Sequence, residues 1–146
     1  MSIEKVRAYF RPLGLEERIR ELEASSATVE LAALALGVDG ARIAKTLSFL
    51  VGDRCILIVT AGDARIDNHK YKARFGVKAK MPAHDEVPEC TGHAVGGVCP
   101  FACKEGVSVY LDESLKRFRT VFPACGSANS AIELTIPELE QYSGCD

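Results

Sequence analysis

Lys45 carries the most chemical information in the sequence. From Ala44 to Val51 the apolar pattern changes to period two, and the alternation of a strand puts Lys45 on the face of Leu47, Phe49 and Val51. An ammonium on an apolar face has two readings. Either it lies at the strand's open end and snorkels to water, or it is held at the mouth of a pocket with apolar walls. In the pocket a lower dielectric strengthens its pull on a phosphate or a polar substrate group.

A second group is Thr91-Gly-His-Ala-Val-Gly-Gly-Val-Cys-Pro-Phe101. Adjacent Gly96 and Gly97 open backbone conformations closed to other residues. Such a turn can aim consecutive N–H groups at one point, as stabilising a carbonyl oxyanion requires, although a tight hairpin also asks for paired glycines. The spacing is neither G-x-G-x-x-G nor a Walker loop, so Rossmann and P-loop nucleotide sites are excluded. In Pro123-Ala-Cys-Gly-Ser-Ala-Asn-Ser130, Ser127 and Asn129 can hydrogen-bond a ligand or satisfy the turn's own backbone.

The six cysteines, Cys55, Cys90, Cys99, Cys103, Cys125 and Cys145, read as reduced small hydrophobes, because a chain of this size needs no disulfide staples. Cys99 and Cys103 with His93 lack the paired knuckle spacing of a zinc site. A Cys99 thiolate stabilised by a His93 imidazolium would require the two side chains to face each other. Between Arg65 and Lys80 stand Arg65, Lys70, Lys72, Arg74, Lys78 and Lys80 against Asp67 alone, a local charge of +5, and Lys116-Arg-Phe-Arg119 adds a second cluster. These are either solvated faces or contacts for a phosphate backbone. Tyr71 and Phe75, four apart, read as core.

The elements that must position these residues follow from local signals. Ile3, Val6 and Phe10 have helical spacing, ended by Pro12 and Gly14. Leu15 to Ala24 suits either a helix or a solvent-facing edge strand. Ser25, Ser26 and Thr28 offer N-cap oxygens for a helix with Val29, Ala32, Ala33 and Leu36 on one face, closed by Gly37. Gly52-Asp53 joins the Lys45 strand to the β-branched run Arg54 to Ala61 as an antiparallel hairpin. Asp67 caps a helix through Arg74 that ends at Gly76. Val77 to Met81 is a short strand or connection, and Pro82 to Cys90 holds a short helix. Val107 to Leu111, Thr120 to Phe122 and Ala131 to Leu134 are short strands, and Pro137 to Tyr142 is a terminal helical turn or two. Strands without regular intervening helices predict a mixed, largely antiparallel α+β sheet flanked by helices.

The 146 residues, 47% hydrophobic and 26% charged, fit one globular domain over residues 1–146 and exclude wholesale disorder. The net charge of −2 excludes a wholly basic nucleic-acid coat. No apolar run reaches the ~20 residues of a membrane span, and Met-Ser-Ile-Glu-Lys opens no signal-peptide core, so a cytoplasmic location is expected.

Five segments, in order and over nearly the whole chain, resemble the YbaK/EbsC family of aminoacyl-tRNA deacylases, relatives of the editing domain of bacterial prolyl-tRNA synthetases. They are Ser26-Ala-Thr-Val-Glu-Leu-Ala-Ala33, Ala41-Arg-Ile-Ala-Lys-Thr-Leu-Ser-Phe49, Ala61-Gly-Asp-Ala-Arg-Ile-Asp67, Thr91 to Phe101, and Gly126-Ser-Ala-Asn-Ser-Ala-Ile-Glu-Leu134. The resemblance implies the family's editing-domain fold, with Leu15 to Ala24 a strand. It also implies hydrolysis of the ester joining a wrong amino acid to a tRNA 3′ end, alanyl- or cysteinyl-tRNA for proline. By the same resemblance Lys45 helps hold the terminal adenosine end, and Gly96 and Gly97 supply backbone groups around the ester. Thr46, His93, Cys99, Phe101, Gly126, Ser127 and Asn129 contact substrate, and Arg65, Lys70, Lys72 and Arg74 contact tRNA. No protein nucleophile, metal or cofactor is called for, since a ribose hydroxyl or a substrate thiol can assist. The implied partner is aminoacylated tRNA, with a synthetase partner and the oligomeric state left open.

Three departures bear on specificity. Ala102 stands where the family loop often has glycine, which would narrow or stiffen the pocket floor. His93 replaces an aromatic such as tyrosine, and Ser127-Ala-Asn129 differs from the Gly-Lys-rich turn of cysteinyl-specific relatives. The alternative from another class is a non-catalytic tRNA- or RNA-binding module of the same fold.

Overall fold

The computed structural model describes residues 2–23, 25 and 28–145. Ser26, one of the expected capping residues, and Ala24 lie outside the described residues. Helix α1 spans Ser2–Phe10. The strand expected over Leu15 to Ala24 is confined to β1, Ile19–Glu21, among the described residues, because residues 16–18 wind as a 3-10 turn before it.

Helix α2, Val29–Leu36, is capped by the Thr28 hydroxyl, which accepts from the Leu31 N–H, and closes at Gly37 in the left-handed region. The hairpin is β2, Ile43–Val51, and β3, Arg54–Ala61. Its register runs from Ala44 opposite Ala61 to Val51 opposite Arg54, as the two-residue turn requires. Helix α3, Asn68–Phe75, starts at Asp67, whose carboxylate accepts from the His69 and Lys70 N–H groups, and ends at Gly76. Residues 77–81 form a connection, not a strand. A short α4, Val87–Thr91, follows.

The remaining strands are β4 (Ser108–Leu111), β5 (Thr120–Pro123), β6 (Ser130–Ile132) and β7 (Leu134–Thr135), and α5 covers Ile136–Ser143. The segment expected as one strand from Ala131 to Leu134 is thus two. β6 pairs antiparallel with β1, while β7 pairs antiparallel with β5. Glu133 marks the break, its carboxylate held by the Thr120 hydroxyl at 2.7 Å and by Arg42 at 3.2 Å. The main sheet has the order β4-β3-β2-β5-β7, with β2–β5 and β3–β4 parallel and the other pairs antiparallel.

The sheet is covered on both faces. Ala44, Leu57, Val59 and Ala61 point into the main core with Val6 and Phe10 of α1 and Leu139 of α5. The opposite face is divided: Ile43 packs with Phe122 and Ala32 under α2, and Phe49, Ile56 and Ile58 pack with Tyr71 of α3. Lys45 lies on this second face between the two patches, because Ile43 and Leu47 are its neighbours at period two. The pattern that singled out Lys45 therefore has a packing cause: two helices share one sheet face and leave a gap, and the ammonium lies in it.

Candidate functional site

The β2–β5 ladder ends at Ala44 opposite Pro123. The next main-chain link on that edge of β2 is the Leu50 N–H donating to the Lys80 carbonyl at 2.7 Å. Alternation directs the main-chain groups of Thr46 and Ser48 to the same side as those of Leu50. A cavity of about 500 Å³ occupies the gap where the strands part, with Lys45, Thr46 and Ser48 on one wall. Val95, Gly96 and Val98 come from the glycine loop, and Ala124, Ser130 and Ala131 from the region of the third sequence motif. Thr28, Val29 and Ala32 of the α2 region and Met81, Pro82, His84 and Val87 also line it. The volume is that of an ordinary small-ligand site.

Lys45 is half-buried, and its Nζ lies 3.5 Å from the Gly62 carbonyl oxygen. The ammonium also lowers the proton affinity of the exposed Asp63 carboxylate, which is held down chiefly by the Arg117 guanidinium. Among the described residues lining the cavity, Lys45 and His84 are the ionisable ones; the rest of the surface is apolar side chain, hydroxyl and main chain. A fixed cation beside bare strand-edge amides, within apolar walls, can bind an anionic or polar group and stabilise developing negative charge on oxygen.

The two glycines have different tasks. Gly96 has φ of 87° and lines the cavity, so there the left-handed conformation is the reason for glycine. Gly97 is not among the lining residues, and its N–H donates to the Ala94 carbonyl at 3.0 Å. A Cβ on Gly97 would stand 2.6 Å from the Gly126 carbonyl carbon, so there the reason is close approach of two backbones. The expectation that consecutive amides at 96 and 97 aim at one point is corrected accordingly: the second is used within its own turn.

Thr46 is the one residue of the expected substrate-contact set on the cavity wall, and its hydroxyl is buried without a hydrogen-bond partner. His93, Cys99 and Phe101 are fully buried beneath the loop, with Phe101 packed edge-on against Phe10 at 4.9 Å between centroids. The His93 Nε2 stands 2.7 Å from the Phe101 carbonyl. A carbonyl only accepts, so Nε2 carries the proton and donates. Cys99 Sγ lies 3.6 Å from that nitrogen, yet burial lowers the proton affinity of the imidazole and pushes the Cys99 thiol well up. Both groups are held neutral, the opposite of an activated thiolate–imidazolium pair.

Gly126 receives the Gly97 backbone. The Ser127 hydroxyl donates to Ser130 Oγ at 2.6 Å, and Asn129 Nδ2 donates to the Leu22 carbonyl at 3.1 Å. Those side chains satisfy the turn and tie it to Leu22 just after β1, the turn-satisfying alternative open in the sequence.

Arg65, Lys70, Lys72 and Arg74 are all exposed around α3. Tyr71 is buried and Phe75 half-buried as expected, and the Arg74 guanidinium lies 5.1 Å above the Tyr110 ring. Two of the six cysteines depart from the expected reduced state: Cys55 and Cys90 form a disulfide. β3 and α4 bring them together from 35 residues apart, a juxtaposition that no local pattern encodes. Among the described residues no group of three or more His, Cys, Asp or Glu is arranged to hold a metal, and no helix is long and apolar enough to cross a membrane.

Ala102 has φ of 50°, the one non-glycine with positive φ among the described residues. Neither it nor Phe101 reaches the cavity, so the alanine there bears on backbone strain and not on the pocket floor. The left-handed region costs an L-residue roughly 1–2 kcal/mol. Ala102→Gly is expected to raise stability by about 1 kcal/mol, with cavity ligand binding unchanged; chemical denaturation checks it, and an unchanged midpoint would contradict it.

His84, Ser48 and Ser130 were not singled out by sequence. His84 stands in a short turn before α4 and is exposed, so neither periodicity nor a motif distinguishes it from any surface histidine.

Comparisons with known proteins show the family and the fold. Residues 23–142 match the sequence profile of the aminoacyl-tRNA editing domain. The chain is 58% identical over 144 residues to the uncharacterised protein YwhH of Bacillus subtilis (strain 168), covering 98% of this chain and 92% of that one. It is 31% identical over 115 residues to a proline–tRNA ligase of Shouchella clausii (strain KSM-K16), covering 78% of this chain but 19% of the ligase. A crystal structure described as a candidate trans-editing enzyme for prolyl tRNA synthetase superposes with a TM-score of 0.89 at 30% identity, covering 99% of this chain and 93% of that one. The fold, the profile over most of the sequence and the relatives coincide: the chain belongs to the aminoacyl-tRNA editing domain family.

Proposed function

We propose that the protein is a trans-editing deacylase that hydrolyses the ester of misacylated tRNA, alanyl- or cysteinyl-tRNA for proline. The observation that carries this reading is that Lys45 and Gly96, from distant stretches of chain, line one small cavity with largely apolar walls. Lys45 attracts the phosphate-bearing adenosine end of the tRNA, where partial burial makes its charge more effective than in bulk water. The Gly96 turn and the free edge of β2 at Thr46 and Ser48 supply main-chain hydrogen bonds to the ester and the amino-acid group. The apolar part of the wall receives a small side chain.

Chemistry then proceeds without a protein nucleophile. Water attacks the ester carbonyl carbon, assisted by a ribose hydroxyl of the terminal adenosine. The bond to the ribose oxygen breaks, and that oxygen takes the proton. The protein contributes position and electrostatics. Arg65, Lys70, Lys72 and Arg74 give the tRNA backbone a basic approach beside the cavity face.

Incubation with a panel of mischarged tRNAs tests the reading. Release of alanine or cysteine from the proline tRNA, with correctly charged prolyl-tRNA spared, is the expected result. Binding without release of any amino acid would replace it with the non-catalytic RNA-binding module.

A further inference from the structure

One wall of the cavity is a single run of chain from 81 to 96, which supplies Met81, Pro82, His84, Val87, Val95 and Gly96. It is thinly attached. Met81, Ala83, His84, Asp85, Glu86, Pro88 and Glu89 are exposed, and few buried contacts mean a low local opening free energy. At its near end the Leu50 N–H bonds the Lys80 carbonyl, and at its far end Thr91 and His93 are buried. Between these two anchors, the covalent link to the sheet is Cys90 of α4 bonded to Cys55 of β3.

Both sulfur-bearing residues border a second, solvent-open depression of about 460 Å³, which Pro82 also lines. Pro82 therefore separates the depression holding the disulfide from the cavity holding Lys45. Both cysteines are half-buried, so a small thiol can reach them.

We propose that Cys55–Cys90 is a reversible thiol–disulfide site that sets the cavity wall. With the bond closed, residues 81–96 are clamped against β3 and the cavity is formed. With it open, the wall loosens and turnover falls. The exchange partner is a low-molecular-weight thiol of the glutathione class. Its thiolate attacks one sulfur of the bridge and forms a mixed disulfide, releasing the other sulfur as a thiolate that takes a proton. A second thiol then attacks the mixed disulfide and leaves with the first as the small-molecule disulfide. Two electrons pass from the two small thiols to the protein, and a small-molecule disulfide reverses the process. The consequence for turnover rests on the editing reading, since charged tRNA is handled where such thiols are abundant and disulfides are seldom purely structural.

The test compares oxidised wild type, reduced wild type, and the Cys55→Ser and Cys90→Ser variants. Intact mass confirms the bridge as a loss of two hydrogens. Hydrogen exchange by mass spectrometry is expected to show lost protection across 81–96 in the reduced protein and both variants. Protection in the main core should be unchanged. Deacylation of the tRNA chosen by the panel is expected to fall in the same three samples and to recover on reoxidation in wild type alone. Unchanged exchange across 81–96 overturns the clamp whatever the activity, and equal turnover of oxidised and reduced wild type overturns the control. If no form deacylates any tRNA, the functional reading fails by itself, and the exchange data still decide the clamp.

Discussion

Lys45→Ala is expected to lower kcat/KM for deacylation by roughly 10²–10³-fold, the range for removing one fixed electrostatic group from a preorganised site. The other ionisable residue lining the cavity, His84, is exposed, so no second buried side chain of that kind replaces the ammonium. The Lys45 ammonium reaches the Gly62 carbonyl at 3.5 Å, which is long for a hydrogen bond and adds little to stability. The melting temperature should therefore stay at the wild-type value while turnover collapses. Lys45→Arg is not a rescue, because a planar fork cannot take the place of a compact point charge in a gap between two helices. Single-turnover assays on the tRNA picked out by the panel check this. Wild-type turnover in Lys45→Ala would remove the electrostatic basis of the proposed function.

Gly97→Ala is expected to fail in a different way. The added Cβ would meet the Gly126 carbonyl carbon at 2.6 Å and the Gly126 oxygen and Ser127 nitrogen at 2.7 Å. All three are backbone atoms, so no side chain can swing aside, and the two loops must separate. Overpacking of this kind costs about 1–3 kcal/mol, and rigid backbone on both sides points to the upper end. Gly96 moves with its neighbour, so activity falls together with the melting temperature, although no reacting group has been removed. Thermal unfolding and deacylation measured on the same samples separate this variant from Lys45→Ala: one loses both properties, the other activity alone. A Gly97→Ala protein with wild-type stability would contradict the close approach of these loops.

The membership in an editing family does not by itself assign the chemistry, because a fold hosts many functions and the site must be argued from its residues. Here the arrangement is economical in reactive groups. The Cys99–His93 pair, which looks chemical in sequence, is buried with both members neutral. Cys103 is likewise pushed up, to about 12, by burial. What faces the cavity is a cation, main-chain edges and hydroxyls, suited to holding a substrate that brings part of its own catalytic apparatus.

The elements legible in the sequence were those set by near neighbours. The β2–β3 hairpin followed from alternation around Gly52-Asp53, and α3 from the Asp67 cap and Gly76. α2 followed from its apolar face and Gly37, and the placement of Lys45 on an apolar face from simple parity. Each depends on contacts within a few residues, which is why a local pattern predicts them. The split of Ala131 to Leu134 was not legible, because Glu133 is drawn aside by Thr120 and Arg42 from other parts of the chain.

Local pattern and family resemblance sufficed for the family, for most of the helices and strands, and for the lysine and the glycine pair. The folded arrangement was needed to show that Gly96 opens to the cavity while Gly97 braces Gly126, that His93 and Ser127 serve the scaffold, that His84 reaches the site, and that Cys55 joins Cys90. Those outcomes turn on which distant segments meet, and long-range packing leaves no periodic trace along the chain.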